Sequence, residues 1–119
     1  MGLFDIFKKT SGKVTNDQLE KIISWMDSYK CSLPKNEIHS IGKLCYDLGA
    51  ERINKKPHKK NDLIAKIIHD KLVVDAALQI ESKLKLTPYH EWSVLNKEIK
   101  TKVCLGMLEG TIDFMSKAI

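Results

Sequence analysis

Residues 63–80 read LIAKIIHDKLVVDAALQI, and twelve of these eighteen residues are apolar. On a helical projection the apolar side chains lie nearly all the way round the axis. A helix that is apolar on every side is typical of the centre of a bundle, where neighbouring helices cover it. We therefore predict a central helix with Asn61 or Asp62 as its N-cap. We also predict that Ile67 and Val74 are buried in the core.

A second helix is predicted downstream, because Thr87-Pro88 combines a capping residue with a proline suited to a first helical turn. One apolar stripe follows, formed by Trp92, Leu95, Ile99, Val103, Met107 and Phe114. If it continued unbroken to Lys117, this helix would be about 45 Å long, which is long for a small domain. We therefore expect a bend or break at Gly110-Thr111.

Two more helices are predicted upstream. The first begins at Thr15 or Asn16, since Thr15 and Gln18 have the spacing of a capping box. Its apolar face consists of Leu19, Ile22, Ile23 and Met26. The second follows Pro34, and we expect Gly49 to end it. Its stripe consists of Ile38, Ile41, Leu44, Cys45 and Leu48.

The whole chain has 119 residues, 43% apolar and 29% charged, which suits one globular domain with its own core. β-branched runs flanked by turn residues are few, so an all-β fold is excluded. The sequence predicts an all-α protein, either a four-helix bundle or an orthogonal helical bundle. We assign residues 13–119 to this single helical domain and residues 1–12 to a short amphipathic arm and joint.

In the arm, Leu3, Phe4 and Phe7 share one face of a helix. The arm could fold onto the core, dock on a partner or rest on a membrane surface, and Phe4 and Phe7 are its candidate binding residues. No apolar stretch approaches the ~20 residues that a transmembrane helix needs. The first nine residues also lack the features of a secretory signal.

Three cysteines, Cys31, Cys45 and Cys104, occur without CxxC spacing. An odd number of unpatterned cysteines indicates reduced thiols and a cytoplasmic protein. Cys45 and Cys104 have apolar neighbours and are expected in the core. Cys31 is expected at a helix end, as the most exposed of the three.

The net charge of +5 comes entirely from residues 1–60, which hold 12 Lys and Arg against 7 Asp and Glu. A polar connector around Pro57 carries the main concentration, and its candidate binding residues are Arg52, Lys55, Lys56, Lys59 and Lys60. Such a segment can attract an acidic protein or nucleic acid, or it can be a solvated loop. Only one of the 20 basic residues is Arg, which disfavours base-specific recognition.

The dipeptide His69-Asp70, with His39 upstream and Asp113 downstream, resembles the metal-ligand order of the HD-domain phosphohydrolases. Those proteins are also all-helical, and the resemblance implies a divalent metal that activates water. This chain is shorter, and it has Lys71-Leu72 where that family commonly has glycine and lysine. In the alternative interpretation His69 is a surface or capped histidine beside a solvated groove.

Neither a phosphate-binding glycine motif nor an arrangement of nucleophile and base is visible. We therefore predict a small cytoplasmic protein–protein interaction module without catalytic activity, cofactor or metal: an adaptor, inhibitor or immunity-type protein. Its partner is expected to be another protein, with an acidic protein as one candidate. The alternatives are a nucleic-acid-binding protein that uses the connector and, less favoured, the metal-dependent phosphohydrolase. The sequence leaves the oligomeric state open.

Overall fold

The computed structural model describes residues 12–54 and 62–119, of which 79% are helical and none lies in a strand. The helices, in chain order, are α1 (Asn16–Ser28), α2 (Lys35–Arg52), α3 (Leu63–Lys85), the short α4 (Tyr89–Trp92) and α5 (Lys97–Ala118). The four long helices pack as a bundle, which confirms the predicted all-α fold class. The predicted arm lies outside the described residues except for Gly12.

Helix starts follow the capping signals of the sequence. Thr15 is the N-cap of α1, and its Oγ1 accepts a hydrogen bond from the Gln18 amide at 3.2 Å. The Gln18 side chain accepts in return from the Thr15 amide at 2.8 Å, which completes the capping box. Asp62 caps α3 by accepting from the amides of Ile64 and Ala65.

The turn after α1 buries a cysteine that we expected to be exposed. Lys30 and Cys31 both have left-handed backbone conformations, and the Cys31 amide donates to the Met26 carbonyl at 2.8 Å. This turn folds Cys31 back into the core, where only 7% of it is exposed. Burial raises the pKa of its thiol, and it raises the pKa of Cys45 and Cys104 to about 12.

The centre of the bundle is formed by α2 and α5. The predicted end of α2 at Gly49 is wrong, because the helix continues to Arg52 and Gly49 serves as a packing residue. A Cβ atom there would lie 2.9 Å from Met115 Cβ on α5. Two turns earlier, a Cβ on Gly42 would lie 2.8 Å from the Ala77 amide nitrogen on α3. The two glycines thus let α3 and α5 approach the α2 backbone closely.

The prediction that α3 is central is wrong. One side of α3 is buried, through His69, Val73, Ala76, Ile80 and Leu84. Its opposite side is open to solvent, so Ile67 and Val74 are 59% and 47% exposed rather than buried. The physical reason is that the molecule is flat. Its extents are 43 × 37 × 20 Å, so its thickness holds about two helices, and α3 is covered on one side only.

The break near the C-terminal helix occurs earlier than expected. It lies between Trp92 and Lys97, where Asn96 accepts a hydrogen bond from the Ile99 amide and caps α5. The predicted break at Gly110-Thr111 is wrong, because α5 runs through it without interruption. The Thr111 hydroxyl donates to the Met107 carbonyl one turn back and stays buried within the helix.

Candidate functional site

The most unusual surface of the described chain is the solvent side of α3. Six large apolar side chains there are between 40% and 73% exposed. We call this set the α3 face; it consists of Leu63, Ile64, Ile67, Ile68, Val74 and Leu78. Because Ile64, Ile67, Val74 and Leu78 recur at intervals of three, seven and four residues, they form a stripe along the helix. An exposed stripe of this kind is a feature of interaction surfaces.

Charged residues lie beside and within the α3 face. Lys66 pairs with Asp70 at 3.7 Å along one edge. Lys71 lies one helical turn from Ile67 and Val74, among the apolar side chains, and pairs with Asp75 at 3.5 Å. His69 Nδ1 lies 3.1 Å from Asp70 Oδ1. This hydrogen bond, together with the charge of Lys66, lowers the pKa of the Asp70 carboxyl, so Asp70 is an anion at neutral pH. These two pairs contain two cations and two anions and together carry no net charge.

A groove of about 260 Å³ lies beside the C-terminal half of the α3 face. Its walls come from the beginning of α2 and from α3, and they consist of Lys35, Ile38, His39, Val74, Ala77, Leu78 and Glu81. The apolar side chains form one part of this lining, and the polar groups of Lys35, His39 and Glu81 form the rest. A partner's apolar side chain could enter the groove while polar groups nearby stay hydrated.

No protein-family model, curated protein or solved structure matches this chain. Among the helices that the structure describes, none is long and apolar enough to cross a membrane.

The predicted basic surface falls mostly outside the described residues. This applies to Lys55, Lys56, Lys59 and Lys60, and also to Phe4 and Phe7 of the arm. Arg52 is described, and its guanidinium forms a two-pronged ion pair with the Glu109 carboxylate, at 2.6 and 2.8 Å. Its Nε also donates to the Gly12 carbonyl at 2.7 Å. Arg52 thus links Gly12 to α2 and α5. Its role in partner binding stays a prediction.

The residues that resemble the HD metal-ligand order occupy different environments. His69 is buried and meets the Tyr46 ring edge-on, with 4.7 Å between ring centroids. Asp113 lies on α5 and pairs with Lys117 at 3.1 Å. In residues 12–54 and 62–119, no group of three or more His, Cys, Asp or Glu could hold a metal ion. Of the alternative interpretation, in which His69 is a surface or capped histidine, the surface position is wrong, because only 7% of His69 is exposed.

A polar cluster joins α1 to the break before α5. Trp92 Nε1 donates to Asp27 Oδ1 at 2.8 Å, and Lys100 Nζ donates to the same oxygen at 3.0 Å. Lys100 also lies over the Trp92 ring, 5.3 Å from its centroid. The Trp92 hydrogen bond lowers the pKa of Asp27, and Lys100 reinforces this shift. Because each polar group is already satisfied within the fold, we assign the cluster a structural role.

The α3 face was missed because apolar content alone cannot distinguish a central helix from one with an exposed apolar side. The signal that could have identified it is the placement of charge. Lys66 and Asp70 fall beside the stripe, and Lys71 and Asp75 fall among its apolar residues. Four charges within ten residues cannot all be enclosed in a core, since buried charges are costly. Their positions indicate that this side of the helix faces solvent.

Proposed function

We propose that this chain is a cytoplasmic, non-catalytic protein–protein interaction module that binds its partner through the α3 face. The observation that carries the proposal is the exposed apolar stripe, together with the two neutral charge pairs beside and within it. Three free, buried thiols support the cytoplasmic part of the proposal, because such thiols persist in a reducing compartment.

The size of the α3 face supports binding rather than incidental exposure. Six large, half-exposed side chains present on the order of 500 Å², close to the largest apolar patch of a typical monomer. An equally apolar partner surface doubles the area removed from water, and burial of apolar surface is the dominant favourable contribution to most protein–protein association. A partner that covers the whole stripe therefore gains the most from this contribution.

The charged groups support a specific orientation for the partner. Lys66 and Asp70 stay partly hydrated at the rim, where ion pairs contribute little to affinity. Lys71 and Asp75 lie within the face, where a partner must offer them complementary groups. Misplaced like charges, in contrast, would cost several kcal/mol. These charges therefore select a partner surface whose charges alternate in the complementary order.

The experiment compares two double variants of the full chain, each tagged and purified from its native host. The test variant carries Ile67→Lys and Val74→Lys in the α3 face. The matched control carries Leu86→Lys and Val94→Lys, two positions that are 82% and 80% exposed but lie outside the face. All four changes replace an exposed apolar side chain by a cation, so differences in binding report on location. Thermal unfolding checks that both variants are folded.

We expect the parent and the control to retain the same partner protein at a fixed stoichiometry. The test variant should lose at least ten-fold in affinity, because two charges would be buried at the centre of the interface. If the test variant binds that partner as well as the control does, the α3 face is not the binding surface and the proposal fails.

A further inference from the structure

We propose that the α3 face binds a second copy of this chain, with the two α3 helices antiparallel and the two-fold axis passing near the level of Val73. This inference rests on the proposed function and names its partner. A two-fold interface uses the same patch on both copies, so the patch must be complementary to itself. Three features of α3 meet that requirement.

Apolar residues of the stripe lie at similar distances before and after the level of Val73 on the helix axis. Ile67 lies six residues before it and Leu78 five residues after it, or about 9 and 8 Å along the helix axis. A two-fold axis at this level places Ile67 of one copy opposite Leu78 of the other. The same contact then occurs a second time by symmetry. Both side chains are more than half exposed and free to make it.

Protruding side chains and the groove also lie on opposite sides of this level. Leu63, at 73% the most exposed member of the α3 face, and Ile67 occupy the N-terminal half of α3. The groove beside Ala77 and Leu78 occupies the C-terminal half and is closed on its far side by Ile38 of α2. In an antiparallel pair, each copy directs its protruding leucine and isoleucine towards the groove of the other.

The charges within the α3 face favour the antiparallel arrangement. Lys71 and Asp75 are joined at 3.5 Å, and the midpoint between them is residue 73. An antiparallel pair about that midpoint brings Lys71 of each copy next to Asp75 of the other. The four groups then alternate in sign. A parallel pair in register would place Lys71 against Lys71, which is unfavourable.

An interface between two copies would extend beyond the α3 face itself. The face presents on the order of 500 Å², and the ~800 Å² per partner of a standard interface would also take in the groove and the charged side chains beside and within the face. The 20 Å thickness of the molecule leaves this side of α3 without a covering layer from the described part of its own chain. A second copy would supply that layer.

The test measures the mass of the full-length chain in solution by light scattering over a hundred-fold range of concentration. We expect a dimer, twice the 13.6 kDa of one chain, at the upper end of the range. Ile67→Lys should shift dissociation to at least ten-fold higher concentration, whereas the control Val94→Lys should leave it unchanged. Both positions are exposed, so neither change should unfold the monomer.

Cysteine crosslinking tests the orientation. All three native thiols are buried, so new surface cysteines will react selectively. A mixture of the I67C and L78C variants should form a disulfide between copies on mild oxidation. Each variant alone should not, because the antiparallel arrangement places the two copies of either residue more than about 15 Å apart along the helix. A crosslink of I67C to itself would indicate a parallel pair and overturn the proposal.

A monomer at every concentration would also overturn it. If a Phe4→Ser, Phe7→Ser variant then formed the dimer that the parent does not, the occupant of the face would be the N-terminal arm. The proposed function and the dimer can be distinguished. Suppose that the parent is a monomer and that the two lysine substitutions in the α3 face abolish its binding to another protein. That result would contradict the dimer but support the interaction module.

Discussion

Ile67 and Ile80 lie on the same helix but in opposite environments. Ile80 is fully buried against α2 and α5, whereas Ile67 is 59% exposed. Ile80→Ala should lower the free energy of unfolding by ~2–5 kcal/mol, because it leaves a cavity in the core. Ile67→Ala should change it by no more than ~0.5 kcal/mol, as is usual for surface positions.

Urea unfolding measures both variants, at a protein concentration low enough to exclude self-association. Equal losses for the two substitutions would contradict the placement of α3. The pair is well matched because residue type, helix and chemical change are the same, and only the burial of the side chain differs.

Asp27 should give the protein a component of stability that depends on pH. The Trp92 hydrogen bond and Lys100 lower the folded-state pKa of this carboxyl below its ordinary value of 3.8. The folded state therefore favours the ionised form. The resulting stabilisation is fully present above the unfolded-state pKa, and it is lost as the pH falls through the lowered folded-state pKa.

The variant Asp27→Asn removes this dependence. We expect parent and variant to differ most in unfolding free energy near neutral pH, and the difference to shrink as the pH falls below about 4. Urea unfolding at a series of pH values provides the measurement. In a Trp92→Phe background, which lacks the indole donor, Asp27→Asn should have a smaller effect. An unchanged effect would show that the indole does not hold the carboxylate.

At the scale of the helices, close approach depends on glycines of α2. An Ala at Gly42 would bring Cβ within 3.0 Å of the Ala77 backbone and the Val73 carbonyl oxygen, so α3 would have to move away. Gly106 on α5 has nothing within 4 Å of the corresponding position. Both glycines lie inside helices, where Ala is otherwise favoured over Gly by ~0.8–1.0 kcal/mol.

We therefore expect opposite signs from the same substitution. Gly106→Ala should raise the free energy of unfolding by ~0.5–1 kcal/mol, through helix propensity alone. Gly42→Ala should lower it by ~1–3 kcal/mol, since overpacking against backbone outweighs the propensity gain. Thermal and urea unfolding measure the stability of the two variants. If Gly42→Ala stabilised the protein, α2 and α3 would not be in close contact at Gly42.

The presence of the helices could be predicted from the sequence, because capping signals and the periodicity of apolar residues are local features. Thr15 with Gln18 and the cap at Asp62 identified two helix starts correctly. The roles of Gly49 and Gly110 were assigned wrongly, because a glycine that ends a helix and one that lies within it look alike in sequence. Only the partner helix distinguishes them: Met115 packs against Gly49, and that contact spans 66 residues of chain.

For the whole molecule, the fold class could be predicted but the position of α3 could not. A central helix and an edge helix with an exposed apolar side have the same composition. The difference depends on how many layers the bundle has, and the 20 Å thickness shows that there are about two. The candidate site was missed for the same reason, since Ile67 and Val74 were assigned to the core. The basic connector at Lys55, Lys56, Lys59 and Lys60 lies outside the described residues, so its role stays a prediction.

The pairing of α1 with α5 has a consequence for how the chain matures during synthesis. The backbone of α1 comes close mainly to α5, and the contacts from Asp27 to Trp92 and Lys100 span 65 and 73 residues. A ribosome adds ~5–20 residues per second, so α1 emerges on the order of ten seconds before α5 is complete. During that interval Leu19, Ile23 and Met26 have no α5 to cover them. A nascent chain at this stage offers a chaperone an apolar helix that the finished protein no longer displays.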